Sequence, residues 1–543
     1  MSIDKFAGWT SVKPSIFDAS GRERKVIILY GLVLEGRYVS SAWQTLTASQ
    51  EPADSASPIF RLDVDKLKEA WLQLCHAWPI LAARLRYGAH SKAPAGWHFM
   101  VPSDAEVKKV VEADMSTSVP VARRSFLVDS VDGKVRDTHP FVEGRDLAQD
   151  RPSSVSGGRV TDVLPKKRSA AVHTFASNAP PSLEDLINQD RPLVTVKVTR
   201  FQDATTIGIA VPHILCDGPG ATEILRAWTS IVNGEVDQIL PLPRGDQDPF
   251  GPLAPGGKLA QQQAEAAAQG GQKELPRPVG WQAYDLWQTI CFFCVFLLDV
   301  IWTRPPATME YRDIYLPKQY LDEQKAAAMD MIKNEPAGGK NEYVSTSDIV
   351  TAIAIQRICR ADARGPDDKR LVSIGCAVNL RWQRNAGVSV NLPKPYLYNA
   401  THSSVLADLP IGKAAYGLTV GELALEFRRA LQRDTTADAI RNSLVWRLAN
   451  AHKLSSFFRP TGFWIASTNW RAMELEKLSF AKALDIAASP ASATGRPVKV
   501  WKAMVSDIPL RNTFVIVGDD PAGGVWVSIV LSANQWKKLE RLD

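Results

Sequence analysis

The sequence predicts an α/β protein made of two α/β sandwich domains with a cleft between them. Three observations carry this. Mixed strand and helix patterns run through the chain twice, and each half opens with a similar strand–helix order. A stretch rich in Pro, Gly, Gln and Ala over 240–280 separates the halves. The 543 residues are also too many for one compact core, so two large domains are expected.

In chain order, residues 25–50 contain strand-like and helix-starting material. Over 59–78, Leu67, Trp71, Leu74 and Trp78 recur at helical spacing and predict an amphipathic helix. Pro79 ends it or starts the next turn, and 80–86 runs on into a strand. Residues 143–182 are rich in Ser, Pro, Gly and charge and predict a surface insertion. An alternating strand over 191–199, a strand ending at His213 and an amphipathic helix over 220–232 follow. The run 286–302 is the most apolar in the chain, bracketed by Trp281, Trp287 and Trp302 and followed by Arg304. It is shorter than the ~20 residues a bilayer span needs and carries Asp299. Two readings stand open: a helix at a membrane interface or lining an acyl entrance, or a buried helix covering the second half. The second half opens with a strand over 310–316 and a helix over 318–333. Ser345-Thr-Ser-Asp348 predicts the capped start of a helix over 349–359. Strands over 371–380, 513–517 and 525–531 and a helix over 421–431 complete the pattern. The expected organisation is an N-terminal domain over 1–245, a linker with its apolar helix over 246–308, and a C-terminal domain over 309–543.

Composition narrows the function. The chain is 45% hydrophobic and 22% charged with a net charge of +6, which is ordinary for a globular protein. No basic stripe with interleaved aromatics appears, so nucleic acid is not an expected partner. The six cysteines sit in apolar runs, which argues for a reducing compartment. Cys291 and Cys294 have metal-like spacing, but they lie inside the apolar run with no second pair nearby, so packing is expected. The histidines lack ligand spacing, and no metal is expected. The N-terminus lacks a signal-peptide pattern and the C-terminus a peroxisomal address, so a cytoplasmic protein is expected, with association at a membrane surface left open by 286–302.

The chemistry concentrates in Gly208-Ile-Ala-Val-Pro-His213-Ile-Leu-Cys-Asp217-Gly218. An apolar strand delivers an imidazole to its end, where it can face a cleft, and imidazole is the side chain best placed to take a proton near neutral pH. Asp217 and Gly218 turn the chain straight afterwards. Asp217 need not touch the ring; it can pair elsewhere and lock the turn that aims His213.

Further motifs share an order with a known family. Leu67-Lys-Glu-Ala-Trp and Trp78-Pro-Ile-Leu-Ala-Ala-Arg-Leu-Arg86 come first, followed by the His213–Gly218 string. Ser345-Thr-Ser-Asp348, Asn379-Leu-Arg381, Leu392-Pro-Lys-Pro-Tyr-Leu-Tyr-Asn399-Ala400 and Thr468-Asn-Trp470 complete the series. In this the chain resembles the BAHD-type acyl-CoA-dependent acyltransferases, in particular their fungal, trichothecene 3-O-acetyltransferase-like branch. The resemblance implies two chloramphenicol-acetyltransferase-like α/β sandwich domains with the active site in a channel at their interface. It implies acyl transfer from acyl-CoA, as co-substrate, to a hydroxyl or amine of a specialised metabolite, with no bound cofactor, no acyl-enzyme and a monomeric protein. His213 would be the general base, and Thr468 and Trp470 would stand near the tetrahedral centre. Asp217 would pair with Arg381, with Gly218 and Asn399 structural at the site. Ser345, Thr346 and Phe480 are candidates for CoA contact. Two departures stand out. Lys477-Leu-Ser-Phe480-Ala-Lys-Ala483 replaces the family's D-F-G-W-G, keeping only Phe480, and Tyr398 stands where Gly is usual. The first departure motivates one alternative, a carrier-protein donor or cyclisation at the same cleft; a non-catalytic binding protein is a third reading, against which the intact His213, Asp217, Arg381, Thr468 and Trp470 argue.

Overall fold

The computed structural model describes residues 9–12, 26–35, 62–87, 97–132, 161–162, 176–180, 183–201, 204–242, 249–269, 275–334, 342–382, 392, 394–484, 499–506, 510–519 and 523–542. Two mixed sheets organise them. The N-terminal sheet runs in the order Lys499–Ser506, Val26–Glu35, Ala204–Pro212, Thr195–Arg200, Phe126–Ser130. The C-terminal sheet runs Thr401–Pro410, Leu371–Asn379, Phe463–Asn469, Thr513–Asp519, Val525–Ser532, Met309–Leu316, Thr161–Asp162. Each sheet packs helices over its own apolar cluster, as the α/β reading expects.

The helix predicted over 59–78 spans Val64–Ala77, capped by Asp63, which accepts from the amides of Asp65 and Lys66. Residues 59–61 lie outside the described residues. Leu67, Trp71, Leu74 and Trp78 are all buried. They meet Gly218–Val232, whose Trp228 indole donates to the Leu67 carbonyl at 3.1 Å. Trp71 and Trp228 contact edge to face at 5.5 Å, and Phe480 does the same with Trp228 at 5.7 Å. The strand Ala204–Pro212 is central in its sheet and buried from Thr205 to Pro212, which explains the apolar run Ile207–Pro212 in place of alternation. Pro212 lacks an N–H and sits where the ladder ends.

The fold departs from a simple division of the chain at 245 and 309. Strand Lys499–Ser506, from the second half, pairs antiparallel with Val26–Glu35 of the N-terminal sheet, in register from Ser506 opposite Val26 to Lys499 opposite Val33. An unpaired Val26–Glu35 would be a long apolar edge, and the returning strand covers it. Trp470, Met473, Leu475, Phe480 and Ala483, also from the second half, lie in the N-terminal core. In exchange Thr161–Asp162 pairs with Tyr315 and Ile314 of the C-terminal sheet. That strand falls in the stretch 143–182, most of which lies outside the described residues. Nor is all of the remainder surface: Asn178 is buried and donates to the carbonyls of Arg124 and Val196, both at 2.9 Å.

The linker prediction over 240–280 also needs correction. Phe250 and Leu253 are buried with Tyr396, Ile440 and Leu444 in a small cluster of their own, and Lys258–Gln269 is helical. Leu259, Ala260 and Leu275 of the same run pack against this cluster and help to anchor it. Elements beyond the sequence reading include Asp104–Met115, Ala437–Ala449 and Ala533–Leu542.

His402, on Thr401–Pro410, is 2% exposed, and its Nε2–H donates to the Asp434 carbonyl at 3.0 Å. Burial first, then the nearby Arg447 cation, hold this imidazole down to about 4 against an ordinary 6.5. Between those values the unfolded chain binds a proton that the folded one refuses, so the contribution is complete above about 6.5 and is lost as pH falls towards about 4. His402→Gln is expected to flatten the fall in stability across that window. Urea midpoints at neutral pH and near pH 5, for wild type and variant, measure it. Equal slopes in the two proteins would refute it.

Candidate active site

His213 stands one residue past the strand Ala204–Pro212, in a turn closed by Leu215 N–H donating to the Pro212 carbonyl at 2.9 Å. Val211, Ile214, Leu215 and Cys216 pack in the N-terminal core and the rest of 211–218 is buried, His213 alone being partly exposed. The strand and turn thus push one imidazole outward while their other side chains hold them down. Cys216, buried among its neighbours, is not a second nucleophile at the site.

Asp217 faces the other way. Its Oδ1 accepts from Gly220 N–H at 2.9 Å, capping Gly218–Val232. Its Oδ2 accepts from Arg381 Nη1 at 2.9 Å and from Ala400 N–H at 2.8 Å. Arg381 follows the strand Leu371–Asn379 and belongs to the other half. Its Nε donates to the Tyr396 carbonyl at 2.9 Å, its Nη2 to the Tyr398 carbonyl, and its Nη1 to Asn379 Oδ1 at 3.1 Å. The salt bridge is therefore also a brace for the 396–400 loop. From that loop Asn399 Nδ2 donates to the His213 carbonyl at 2.8 Å. Five predicted residues, His213, Asp217, Gly218, Arg381 and Asn399, thus meet where the two halves meet.

Thr468 is one strand over. Leu371–Asn379 and Phe463–Asn469 run parallel, with Thr468 opposite Ala377, so their C-terminal ends lie side by side next to Arg381. Thr468 is half-buried. Trp470, next along the strand end, is 3% exposed and packs in the N-terminal core. The sequence reading missed the residues that fix this strand end. Asn469 Nδ2 and Arg471 Nη1 both donate to Ser347 Oγ, at 3.2 and 2.9 Å, and Arg471 Nε donates to Asp519 at 2.6 Å. The polar Asn-x-Arg that follows Thr468 was the available signal.

Two candidates for CoA contact are corrected. Ser345 uses its whole hydroxyl: it donates to Asp348 Oδ2 at 2.7 Å and accepts from Asp348 N–H at 3.3 Å and Arg428 Nη2 at 2.8 Å. Phe480 is fully buried against Trp228 and offers no surface to a ligand. Its segment is tied to the N-terminal half by Asn233 Nδ2 donating to the Ser479 carbonyl at 2.8 Å and Asp63 N–H to the Ala483 carbonyl at 2.7 Å. The altered 477–483 stretch is therefore packed onto the N-terminal half. Thr346 is the first residue of the helix Thr346–Asp362, next to Ser347 at the strand ends. Tyr398, where Gly is usual, packs edge to face on Tyr396 at 5.7 Å, and burial pushes its phenol up to about 12, so it stays a protonated donor.

A cavity of about 520 Å³ lies elsewhere, lined by Leu371, Phe463, Trp464 and Phe292 among others. Leu371 and Phe463 begin the two parallel strands, so this cavity is at the opposite end of the sheet from Asn379 and Thr468. Its position removes it from the His213 chemistry. Among the described residues no group of three His, Cys, Asp or Glu side chains is placed to hold a metal.

Two substitutions test the geometry. Asp217→Ala leaves the Arg381 cation buried without its counter-charge and is expected to cost ~3–5 kcal/mol, with the double variant Asp217→Ala/Arg381→Ala losing less than the sum. Gly220→Ala places a Cβ 1.9 Å from the Leu397 carbonyl oxygen, which is backbone of the opposing half and cannot step aside. It is expected to cost ~1–3 kcal/mol. Denaturant titration of each variant measures both, and wild-type stability in either would refute the corresponding contact.

Residues 167–250, which include the His213–Gly218 string, match the model of the transferase family. The chain is 27% identical over 497 residues to the acetyltransferase MATC1 of Mycosarcoma maydis, covering 87% of this chain and 90% of that protein. It is likewise 27% identical over 483 residues to the acetyltransferase MAT1 of Pseudozyma antarctica (strain T-34), covering 86% and 89%. The structure of TRI101 from F. sporotrichioides, complexed with coenzyme A and T-2, covers 98% of this chain and 97% of its own at a TM-score of 0.58 and 13% identity, which establishes the fold. By fold, by family segment and by relatives, the resemblance of this chain to the BAHD-type acyltransferases and their fungal branch is borne out.

Proposed function

We propose that this protein transfers an acyl group, acetyl in the first instance, from acyl-CoA to a hydroxyl of a small specialised metabolite, directly and without an acyl-enzyme. The observation that carries the reading is the division of labour in the His213–Gly218 string: Asp217 is consumed by Gly220, Ala400 and Arg381, while His213 is left half-exposed between the halves. His213 takes the proton of the acceptor hydroxyl. The freed oxygen attacks the thioester carbonyl, forming the new C–O bond and an oxyanion. The half-buried Thr468 hydroxyl is the donor for that oxyanion. The intermediate collapses with cleavage of the C–S bond, and the imidazolium returns its proton to the departing CoA thiolate. The names of the relatives favour acetyl as the group, and T-2 bound to TRI101 favours a polycyclic alcohol as the acceptor class. The alternative reading, a carrier-protein donor or a cyclisation at the same cleft, is motivated by the altered 477–483 stretch, and turnover only with a loaded carrier protein would favour it.

Release of free CoA from acetyl-, malonyl- and long-chain acyl-CoA, with a panel of polycyclic alcohols, tests the reading. Acceptor-dependent release is expected. His213→Ala should lower kcat/KM by roughly 10²–10⁴-fold with an unchanged melting midpoint, and Thr468→Ala should lower kcat by roughly 10²–10³-fold. Silence of the folded wild type with every donor would refute it, as would turnover that survives His213→Ala.

A further inference from the structure

The helix Leu286–Leu298 and the π-turn Asp299–Thr303 that continues it do not serve the core. None of their residues is buried, although 286–303 is long and apolar enough to meet the length and composition of a membrane span. Leu286 is 77%, Trp287 71% and Trp302 72% exposed, with Ile290, Phe293, Leu297 and Ile301 exposed between them at helical spacing. Cys294 is exposed with them, not packed away as its apolar surroundings in sequence had suggested. A soluble monomer's largest apolar patch is typically ~300–600 Å², and this face is a continuous run the length of the helix. The structure thereby excludes the reading of 286–302 as a buried covering helix. Its position near the start of the parallel strands also excludes a lining for an entrance at the His213 end.

We infer that this helix docks the protein on the surface of a phospholipid bilayer, lying in the plane of the interface. Three features select this occupant. Both ends are fastened to the same body. Gln282–Tyr284, just before the helix, pairs with Leu454–Ser456, and Asp285 forms a capping box with Gln288. Beyond the helix Arg304 and Arg511 grip Asp299 at 2.6 and 2.7 Å. A helix with both flanks on one body cannot cross a bilayer but can lie on it. Second, the outward face carries no charge: Asp299, the one ionisable carboxylate between Asp285 and Arg304, is turned inward onto the two arginines. A protein partner of this size needs a polar rim and about one hydrogen bond per 100–200 Å², which the face cannot supply, whereas acyl chains need none. Third, Trp287 and Trp302 stand at the two ends of the apolar run, and indole is the side chain that favours the headgroup level.

The inference is independent of the proposed reaction, because the helix contributes nothing to the His213 site. Vesicles of phosphatidylcholine, with and without phosphatidylserine, are sedimented with the full chain. Wild type is expected in the pellet with both, and Ile290→Glu/Phe293→Glu in the supernatant, with binding weakened about tenfold or more per introduced charge and the melting midpoint kept. Should the double variant misfold, tryptophan emission of wild type quenched by phospholipids brominated in their acyl chains decides the matter without a variant. Wild type that stays in the supernatant, unquenched, overturns the inference. So does a wild-type dimer by light scattering that ignores vesicles and is split by the double variant, which would make the face an interface between two copies of this chain.

Discussion

The structure depends on one buried carboxylate. Asp217 accepts three hydrogen bonds in three directions: from the helix that begins after it, from Ala400 of the opposing loop, and from Arg381 beneath that loop. A buried ion pair of this kind adds little net stability over a well-packed apolar pair, since desolvation offsets the attraction. What it fixes is position. Removing either partner strands a charge, so the halves have one relative placement in which both charges and the loop carbonyls of Tyr396 and Tyr398 are satisfied. Asn399 then hangs from the same loop and holds the His213 carbonyl. The backbone of His213 is thus held by the same loop that the ion pair braces.

This has a chemical consequence. In a relay, a carboxylate orients and stabilises the protonated imidazole. Here the adjacent carboxylate is spent on architecture and pairs with a guanidinium. In the proposed reaction, weight then falls on the acceptor's positioning and on Thr468, whose strand end is held by the polar lattice of Ser347, Asn469 and Arg471.

Periodic features were legible in the sequence, and pairings between distant segments were not. Leu67, Trp71, Leu74 and Trp78 mark their helix because helical spacing is local information. Ser345 and Asp348 mark theirs because a capping box is four residues long. The strand before His213 is equally plain. By contrast, nothing near 499–506 says that it completes a sheet begun at Val26, and nothing near Phe480 says that Trp228 will cover it; both depend on which surfaces remain unpaired once the halves have formed. The corrected reading of Ser345 has the same origin. A serine hydroxyl looks available in sequence, and only the arrival of Arg428 from another helix exhausts it. Gly220 lies between the two cases: a Gly-Pro-Gly start to a helix signals close approach, but not to what.

The polarity of the C-terminal sheet links the site to the apolar helix. Parallel strands have two chemically different ends, and in Leu371–Asn379 and Phe463–Asn469 these are divided cleanly. Asn379, Arg381 and Thr468 occupy the C-terminal ends, where open α/β sheets place their ligands. The cavity beneath the 286–303 helix touches the first residues of the same strands. These strands have nine and seven extended residues, which at ~3.3 Å each separate the two ends by roughly 20–26 Å. A body resting on a bilayer through that helix therefore turns its cleft away from the lipid. Coenzyme A thioesters are polyanions that arrive from water, and a cleft raised off an often anionic surface meets them without crossing its repulsive field, which fades within about 10 Å. The apolar helix and the His213 cleft thus lie at opposite ends of one sheet, so that docking proposed for the one leaves the other open to water.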